Sequence, residues 1–568
     1  MCGIWALIQR DSSVQVKNSY DAFKRVQERG PDRSYYIEHG EPYNAKIGFH
    51  RLSIMDPSIK GDQPFVFDTG KRLVNVICNG EIYNFKQIAE KYNIELKSGS
   101  DCEVIPHLYT KYGIEKVIEE IRGEFAFVIV DIDKQSGDAE IYCSRDPLGI
   151  RPLFIFIDPE GNYINFSSEL KGLVSVYNKN VTTKDSLNSV KPGHYMLITR
   201  TNGEFVTQYE RKYYEFPRLK KRDAYETDIE KVKKSVVDAL THSVISRMNA
   251  DRPIGCALSG GLDSSLVASI VARELKREGK NRILKTFSIG LEGSTDEPFA
   301  KMAADYIGSE HTHFTVTQDE CIDVIKIIVY KIETYDLTTI RASVFQYLLC
   351  KKISQTTDIK VIFIGDVSDE ATCGYLYFHS APSPEDAHHE NVRLLTVIDK
   401  YDVRRADRGV SDNGLEARVP FSDIVFIDTY LSINPELRVP INGIEKWLLR
   451  ESFKDTGLLP HAVLYRKKEA FSDGGSSVTK SWYQIVQEHA NQLYTDKYFN
   501  DKQKLYKHNP PPSKEALYYR EWFDSFFGEN VDHIIPHYWL PKWVGDINEP
   551  SARVLQHYQN KENAANLE

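Results

Sequence analysis

The chain has 568 residues, which is too long for one hydrophobic core and predicts at least two domains. Its composition, 41% hydrophobic, 27% charged and 11% aromatic, is typical of a globular protein and argues against extensive disorder. The formal net charge of −9 argues against a nucleic-acid-binding protein and favours small-molecule substrates. No apolar run approaches the ~18 residues that a membrane span needs, and the N-terminus MCGIWALIQR lacks a signal-peptide pattern.

Short apolar strands broken by turns fill residues 2–210. The strand-like runs lie at 45–55, 72–82, 124–133, 139–146, 153–158 and 193–199, and residues 19–29 have a helical pattern. Strands this dense, with few helices among them, predict stacked sheets with helices outside. Residues 211–227 are charged and aromatic and contain a proline, so we expect a linker there.

Strand–helix alternation begins after the linker and defines a second predicted domain, residues 228–550. A long helix at 228–248 precedes strands at PIGCAL (253–258), LKTFSIGL (284–291) and KVIFIG (360–365). Such alternation predicts a parallel sheet covered by helices, in which ligands bind beyond the carboxyl ends of the strands. The region after about 425 is mostly helical in pattern, and residues 551–568 are predicted to be a C-terminal tail.

A glycine turn, SGGLDSS (259–265), follows one of these strands and leads directly into a helix. Gly260 and Gly261 allow backbone amides to approach a phosphate, and the helix N-terminus adds partial positive charge. Asp263 beside a phosphate needs a cation between them, which implies Mg²⁺. An ordinary serine-capped turn is the alternative. The pattern resembles that of the PP-loop ATP pyrophosphatases, so ATP is the expected substrate.

Cys2 is the candidate nucleophile of the first domain. Removal of Met1 would leave Cys2 with a free α-amine, which titrates near pH ~7.7–8.0 and can act as the base for its own thiol. Taken alone, the residue could equally be a buried, inert cysteine. Six segments resemble, in order, the blocks of class II N-terminal-nucleophile glutamine amidotransferases: RGPDRS (29–34), HRLSIMDP (50–57), CNGEIYN (78–84), SGSDCE (98–103), RDPLGIRPLF (145–154) and SSELKGL (167–173).

This resemblance implies an α+β glutaminase domain with an αββα arrangement of layers. Cys2 would attack the glutamine amide and form a γ-glutamyl thioester, which water hydrolyses after ammonia has left. The Asn79 side chain and the Gly80 backbone N–H would form the oxyanion hole, where one donor is typically worth ~2.7–4 kcal/mol. The glutamine-binding residues implied are Arg51 for the α-carboxylate, Asp101 and Glu81 for the α-ammonium, and Leu52, Ser53, Ile54 and Met55.

A class II glutaminase joined to a PP-loop domain is similar to the glutamine-dependent asparagine synthetase family. The second half carries the resemblance in FSIGLEGS (287–294), IETYDLTTIRAS (332–343), GLEARVPF (414–421), GIEKWLLRE (443–451) and RKKEAFSDG (466–474). HYWLPKW (537–543) and PSARVLQHY (550–558) resemble the eukaryotic branch. The implied reaction activates aspartate with MgATP as β-aspartyl-AMP, and channelled ammonia then displaces AMP to give asparagine. The resemblance also implies a homodimer. The eight cysteines are scattered with no CxxC pair, which favours a reducing compartment and therefore the cytoplasm.

The resemblance assigns roles in the second domain as well. Asp263 and Asp369 would hold magnesium, Lys468 and Arg405 would supply fixed positive charge, and Asp366 would support aspartyl-adenylate formation. Thr338, Thr339 and Arg341 are the candidates for aspartate recognition. The predicted ATP and pyrophosphate contacts are Leu258, Ser259, Gly260, Gly261, Asp263, Ser264, Ser265, Ile289, Ile364 and Gly365.

One loop departs from the family pattern. Residues 364–370 read IGDVSDE where the family usually has SGEGSDE, so Ile364, Asp366 and Val367 replace Ser, Glu and Gly. If that glycine has a positive φ, a β-branched residue there is strained. The loop is either repacked and working, or the synthetase half is impaired, leaving a glutaminase or a non-catalytic ATP-binding protein. Because Cys2, SGGLDSS and Lys468 are all retained, the sequence favours a working synthetase. A related amidotransferase acting on another carboxylate, such as a β-lactam-forming synthetase, is disfavoured by IETYDLTTIRAS.

Overall fold

The computed structural model describes residues 1–174, 176, 185–279, 282–477, 480–545, 547–555 and 558. The strands are β1 (Gly3–Gln9), β2 (Arg33–His39), β3 (Ala45–Arg51), β4 (Phe65–Asp68), β5 (Arg72–Ile82), β6 (Gly123–Asp133), β7 (Ala139–Arg145), β8 (Phe154–Ile157), β9 (Tyr163–Ser167), β10 (Leu187–Ser189), β11 (His194–Thr201), β12 (Glu204–Lys212), β13 (Ile254–Ala257), β14 (Lys285–Leu291), β15 (Glu310–Val316), β16 (Val361–Phe363) and β17 (Glu416–Arg418).

The helices of the described residues are α1 (Ser19–Lys24), α2 (Phe85–Lys91), α3 (Val104–Tyr112), α4 (Ile114–Glu120), α5 (Ile229–Ser246), α6 (Leu262–Arg277), α7 (Glu297–Ile307), α8 (Gln318–Asp323), α9 (Ile325–Ile328), α10 (Leu337–Thr356), α11 (Ser368–Ala371), α12 (Pro384–Val397), α13 (Asp402–Ser411), α14 (Ile424–Leu431), α15 (Pro435–Arg438), α16 (Trp447–Phe453), α17 (His461–Leu464), α18 (Phe471–Gly474), α19 (Trp482–Leu493), α20 (Asp496–Gln503) and α21 (Lys514–Phe527). None of these helices has both the length and the apolar character needed to cross a membrane.

Two antiparallel sheets of six strands form the first domain, in the orders β10-β8-β9-β1-β3-β2 and β12-β11-β7-β6-β5-β4. Their facing sides share one apolar core, to which Ile4 and Ile47 contribute from one sheet and Val128 and Ile141 from the other. The outer face of the first sheet packs on α1, and that of the second packs on α3 and α4. Strands β1 and β6 are buried over almost their whole length because both of their faces are covered. The predicted αββα layering is confirmed.

A five-stranded parallel sheet, in the order β15-β14-β13-β16-β17, forms the centre of the second domain. Helices α6, α7, α10 and α13 contact its strands, so the predicted parallel sheet with surrounding helices is confirmed. The long helix predicted at 228–248 is α5, which begins after an Asp228 cap that accepts the N–H of Glu230. Strands β13 and β16 are neighbours, so the segments that follow their carboxyl ends lie side by side.

The segment predicted to be the linker is attached to both domains. Strand β12 continues through residues 211 and 212. The Tyr213 hydroxyl donates to the Arg145 carbonyl at 2.6 Å, and the Tyr214 hydroxyl donates to Asp428 at 2.7 Å. The predicted tail is described only at 551–555 and 558, where Tyr558 donates to Glu469 at 2.8 Å, and residues 559–568 lie outside the described residues. The boundaries of the domains themselves stay predictions.

Buried ion pairs join the two domains. Arg29 donates to both carboxylate oxygens of Asp407, at 2.6 and 3.0 Å, and to Glu169 at 2.8 Å. Arg151 lies 3.0 Å from Glu124 and 3.4 Å from the same Asp407. Since removing one partner of a buried pair leaves an uncompensated charge, these contacts oppose any change in the relative orientation of the domains.

Candidate active sites

The first candidate site lies where β1 and β5, strands of the two stacked sheets, approach each other. The Cys2 backbone N–H donates to Asn79 Oδ1 at 2.8 Å. Asn79 is fully buried, and its Nδ2 has no hydrogen-bond partner among the described residues. A buried donor without a partner beside a nucleophile is free to bind an oxyanion, so this geometry agrees with the predicted role of Asn79.

The Cys2 thiol is in its protonated form while Met1 is present. Burial raises the pKa of this thiol to about 11, even though the N-terminal ammonium group lowers it. The Met1 ammonium is buried and lies 3.1 Å from Glu416. Removal of Met1 would replace this distant amine with one on Cys2 itself, where it can act directly as the base.

Arg51, the predicted clamp for a glutamine carboxylate, holds the loop that follows it. Its guanidinium donates to the Ser58 carbonyl at 2.6 Å, to Asp62 at 2.5 Å and to the Met55 carbonyl at 3.1 Å. A substrate carboxylate would therefore have to replace one of these partners. The neighbouring candidates Leu52, Ser53 and Ile54 are buried in the same loop, and Met55 is half-buried.

Two buried acids, Glu81 and Asp101, crowd one side of this site. Burial raises the pKa of Asp101 to about 6, and burial together with the Asp101 charge raises the pKa of Glu81 well above its ordinary value. Arg418 lies 3.2 Å from Glu81, and Asp101 accepts the Ile82 N–H at 2.5 Å. A further cation would relieve the repulsion between the two acids, which suits the α-ammonium of an amino acid.

The second candidate site is a cavity at the carboxyl ends of β13 and β16. Eight of the ten predicted nucleotide contacts line it: Leu258, Ser259, Gly261, Asp263, Ser264, Ile289, Ile364 and Gly365. Gly260 stands beside it with a φ of 73°, and a Cβ there would overlap the backbone of α7. Ser265 is buried inside α6. The first turn of α6 therefore presents its N-terminus to the cavity, as a phosphate-binding turn requires.

Acids and cations alternate along one wall of the cavity. Arg405 pairs with Asp366 and lies 2.9 Å from Asp402. Lys468 lies 2.5 Å from Asp369. Burial raises the pKa of Asp366 above its ordinary value despite Arg405. For Asp369, burial is outweighed by the ammonium groups of Lys446 and Lys468, and the pKa lies below its ordinary value.

The predicted magnesium ligands, Asp263 and Asp369, converge on one point. Their nearer oxygens each lie 2.6 Å from the Lys446 ammonium. Asp369 Oδ1 receives no hydrogen bond of normal geometry from the described residues. Those residues contain no cluster of three or more His, Cys, Asp or Glu that could hold a metal alone. Two carboxylates nevertheless fit Mg²⁺, which commonly binds one or two protein carboxylates and completes its shell with water and phosphate oxygens.

Val367 has the positive φ that is expected to strain a β-branched residue in place of the glycine of SGEGSDE. Its φ is 76° and its ψ is −15°, in the left-handed region, and its side chain is 1% exposed. The neighbouring Gly365 lies so close to α6 that a Cβ would approach the Ser264 backbone nitrogen to 2.8 Å. The loop therefore keeps the path of a glycine-containing turn, with a valine held in a strained backbone conformation.

Of the three candidates for aspartate recognition, one lines the cavity and two do not. Thr338 lines the cavity. The Thr339 hydroxyl donates at 2.8 Å to the carboxylate of Asp336, the residue that caps the N-terminus of α10. Arg341 is paired with Glu515 at 2.6 Å and with Glu549 at 2.5 Å, so its charge is already neutralised. The geometry supports Thr338 and gives no support to Thr339 or Arg341.

Several polar residues of the cavity wall were not predicted from the sequence, among them Lys446, Tyr375, Asp402 and Gln346. Tyr375 donates to Glu370 at 2.7 Å and to Asp402 at 2.9 Å, so it links two acids that would otherwise repel each other. Lys446 lies within GIEKWLLRE, one of the segments that carry the family resemblance, and this position in the sequence could have identified it as a candidate site residue.

Profiles of two known protein families match the chain. A family profile described as a glutamine amidotransferase domain matches residues 1–211, and one described as asparagine synthase matches residues 235–390 and 380–545. The fold and the matches describe a two-domain amidotransferase. The chain is 41% identical to the glutamine-hydrolysing asparagine synthetases of Gallus gallus, over 570 residues, and Homo sapiens, over 571 residues. Each alignment covers 99% of both chains. The chain belongs to the family of glutamine-hydrolysing asparagine synthetases.

Among solved structures, the glutamine phosphoribosylpyrophosphate amidotransferase of B. subtilis in complex with ADP and GMP is 16% identical, with a TM-score of 0.30. The alignment covers 55% of this chain and 81% of that one. This likeness is too weak to bear on the fold.

Proposed function

We propose that the protein makes asparagine from aspartate, ATP and glutamine, with glutamate, AMP and pyrophosphate as the other products. One observation carries the proposal: SGGLDSS, the IGDVSDE loop, Arg405 and Lys468 meet in a single cavity, although they are far apart in the chain. A second site, in which the Asn79 Nδ2 has no hydrogen-bond partner among the described residues and lies beside Cys2, supplies the ammonia. The cytoplasmic location and the homodimer stay predictions.

In the first site, Cys2 attacks the side-chain amide of glutamine once Met1 has been removed. The thiol proton passes to the α-amine of Cys2, and the Asn79 Nδ2 donates to the oxyanion that forms on the amide carbon. Glu81 and Asp101 bind the α-ammonium of glutamine. Collapse of the tetrahedral intermediate releases ammonia and leaves a thioester, which water hydrolyses to glutamate.

In the second site, the aspartate side-chain carboxylate attacks the α-phosphorus of ATP. The backbone N–H groups of Gly261 and of the first turn of α6 donate hydrogen bonds to phosphate oxygens. Lys468 and Arg405 balance the negative charge that develops on the phosphates in the transition state. Asp263 and Asp369 would hold Mg²⁺, which would supply positive charge to neutralise the leaving pyrophosphate. Asp366, held by Arg405, positions the reacting groups. Ammonia then displaces AMP from the β-aspartyl carbonyl.

The test measures pyrophosphate and asparagine formed from MgATP and aspartate, with ammonia supplied directly. Direct supply bypasses the first site, so the result depends on the cavity alone. Equal amounts of pyrophosphate and asparagine are expected. If no pyrophosphate forms while glutamine is still hydrolysed, the strained Val367 loop does not support synthesis and the protein is a glutaminase.

A further inference from the structure

Lys446 places its ammonium group between the two carboxylates of the proposed metal site. Its Nζ lies 2.6 Å from Asp263 Oδ2 and 2.6 Å from Asp369 Oδ1, and it donates to Ser368 Oγ at 3.1 Å. The side chain is 2% exposed. Charge-assisted contacts of this length, shielded from water, form a strong bridge between the two acids.

The backbone around this bridge is shaped to admit the lysine. Lys446 has a φ of 55°, which is uncommon for a residue other than glycine, immediately before α16. Gly374 faces the lysine stem, and a Cβ there would overlap both Lys446 Cε and Asp369 Oδ1. The absence of a Cβ at Gly374 leaves the space in which the Lys446 stem passes to reach the two acids.

A divalent ion and the Lys446 ammonium cannot share this position. Mg²⁺ binds oxygen at ~2.0–2.1 Å, so an ion held by Asp263 Oδ2 and Asp369 Oδ1 would occupy the space in which Nζ lies. The two cations would also repel each other at that distance. Lys468 bonds to the other oxygen of Asp369 and can stay where it is.

We propose that Lys446 is a tethered counter-cation. It holds Asp263 and Asp369 together when no nucleotide is bound, and it gives up its position to the metal that arrives with ATP. Lys446 is thus a positioning residue that makes metal binding depend on nucleotide binding. The proposal rests on the proposed function only in taking the two acids as metal ligands.

The experiment titrates Mn²⁺, a paramagnetic substitute for Mg²⁺, into the full-length protein without nucleotide and measures bound ion by electron paramagnetic resonance. Wild type is expected to bind Mn²⁺ weakly, and Lys446→Met to bind one ion about tenfold more tightly or better, since the competing charge is gone. The matched control is Lys171→Met, which removes another buried lysine, one that lies 2.5 Å from Glu169 in the domain interface. This control should bind Mn²⁺ as wild type does.

Two further variants keep the result decisive. Adding Asp369→Asn to Lys446→Met should abolish the tighter Mn²⁺ binding, because the ion would lose one of its two carboxylate ligands. Lys446→Gln also removes the charge and provides the same test if Lys446→Met does not fold, whereas Lys446→Arg retains the charge and should bind Mn²⁺ as weakly as wild type. Tight Mn²⁺ binding by wild type, or no gain in Lys446→Met, would overturn the proposal. Asparagine formation by wild type is measured separately, so a failure of the proposed function is recognised independently.

Discussion

The two sites of the molecule balance their buried charges in opposite ways. In the glutaminase site, Glu81 and Asp101 lie close together, and the pKa of each is raised mainly because burial disfavours its charge. In the nucleotide cavity, Asp369 forms ion pairs with Lys446 and Lys468, which lower its pKa although burial opposes this. The acids of the first site therefore lack sufficient positive charge around them, whereas Asp369 in the second is already neutralised by two lysines.

This difference implies that each half can be disabled without the other. The two sites have separate polar partners, and the domains are also held together by buried pairs outside both sites, such as Arg145–Asp399. Mutations at either site should therefore separate glutamine hydrolysis from pyrophosphate release.

The largest expected effect comes from Cys2→Ala. Glutamine hydrolysis should fall by ~10³-fold or more, because the nucleophile is removed while its surroundings remain. Glutamate release measures this loss. Pyrophosphate release with ammonia as the nitrogen source should continue in the same preparation. Glutamine hydrolysis that survived the substitution would place the nucleophile elsewhere.

Asp366→Ala should produce the opposite pattern. Pyrophosphate release with ammonia should fall by ~10²-fold, because Arg405 loses one of its two carboxylate partners and the reacting groups lose their alignment. Glutamate release should be unchanged. Asp428→Ala is the control, since this acid bonds to Tyr214 outside both sites. A comparable loss in the control would attribute the effect to folding rather than to the cavity.

The raised pKa of Asp101 predicts a dependence of stability on pH. A carboxyl with a folded pKa of about 6 binds its proton more tightly than in the unfolded chain, where the ordinary value is 3.8. The folded state therefore loses stability as the pH rises from about 4 to about 6, by about 3 kcal/mol for this group. Asp101→Asn cannot ionise and should lack this decline, as followed by the thermal midpoint at several pH values. Asp101→Glu should retain it. An identical pH profile for wild type and Asp101→Asn would contradict the assignment.

The sequence predicted what depends on local pattern and missed what depends on distant partners. Strand density and alternation predicted both sheet systems, whereas the association of Cys2 with Asn79 was implied only by the family resemblance. Arg341 has an equally suggestive local setting, yet its partners Glu515 and Glu549 lie far along the chain and remove it from the cavity. Lys446 reaches the acids only because Gly374, in another segment, leaves room for it. Periodicity and spacing contain no information about such pairings.

The smallest expected effect concerns the strained Val367 loop in the nucleotide half. There, the glycine variant should be more stable than the alanine variant, which reverses the usual order. Glycine normally destabilises a buried position more than alanine, because it adds freedom to the unfolded chain. At Val367 both substitutions lose the buried side chain, but only glycine relieves the φ of 76°, worth about 1 kcal/mol. Val367→Gly should therefore melt at a higher temperature than Val367→Ala. Val361, fully buried in β16, is the matched control, where alanine should be the better tolerated by about 1 kcal/mol. Calorimetry of the four variants decides the point. The same order at both positions would mean that the backbone of the IGDVSDE loop carries no strain at Val367.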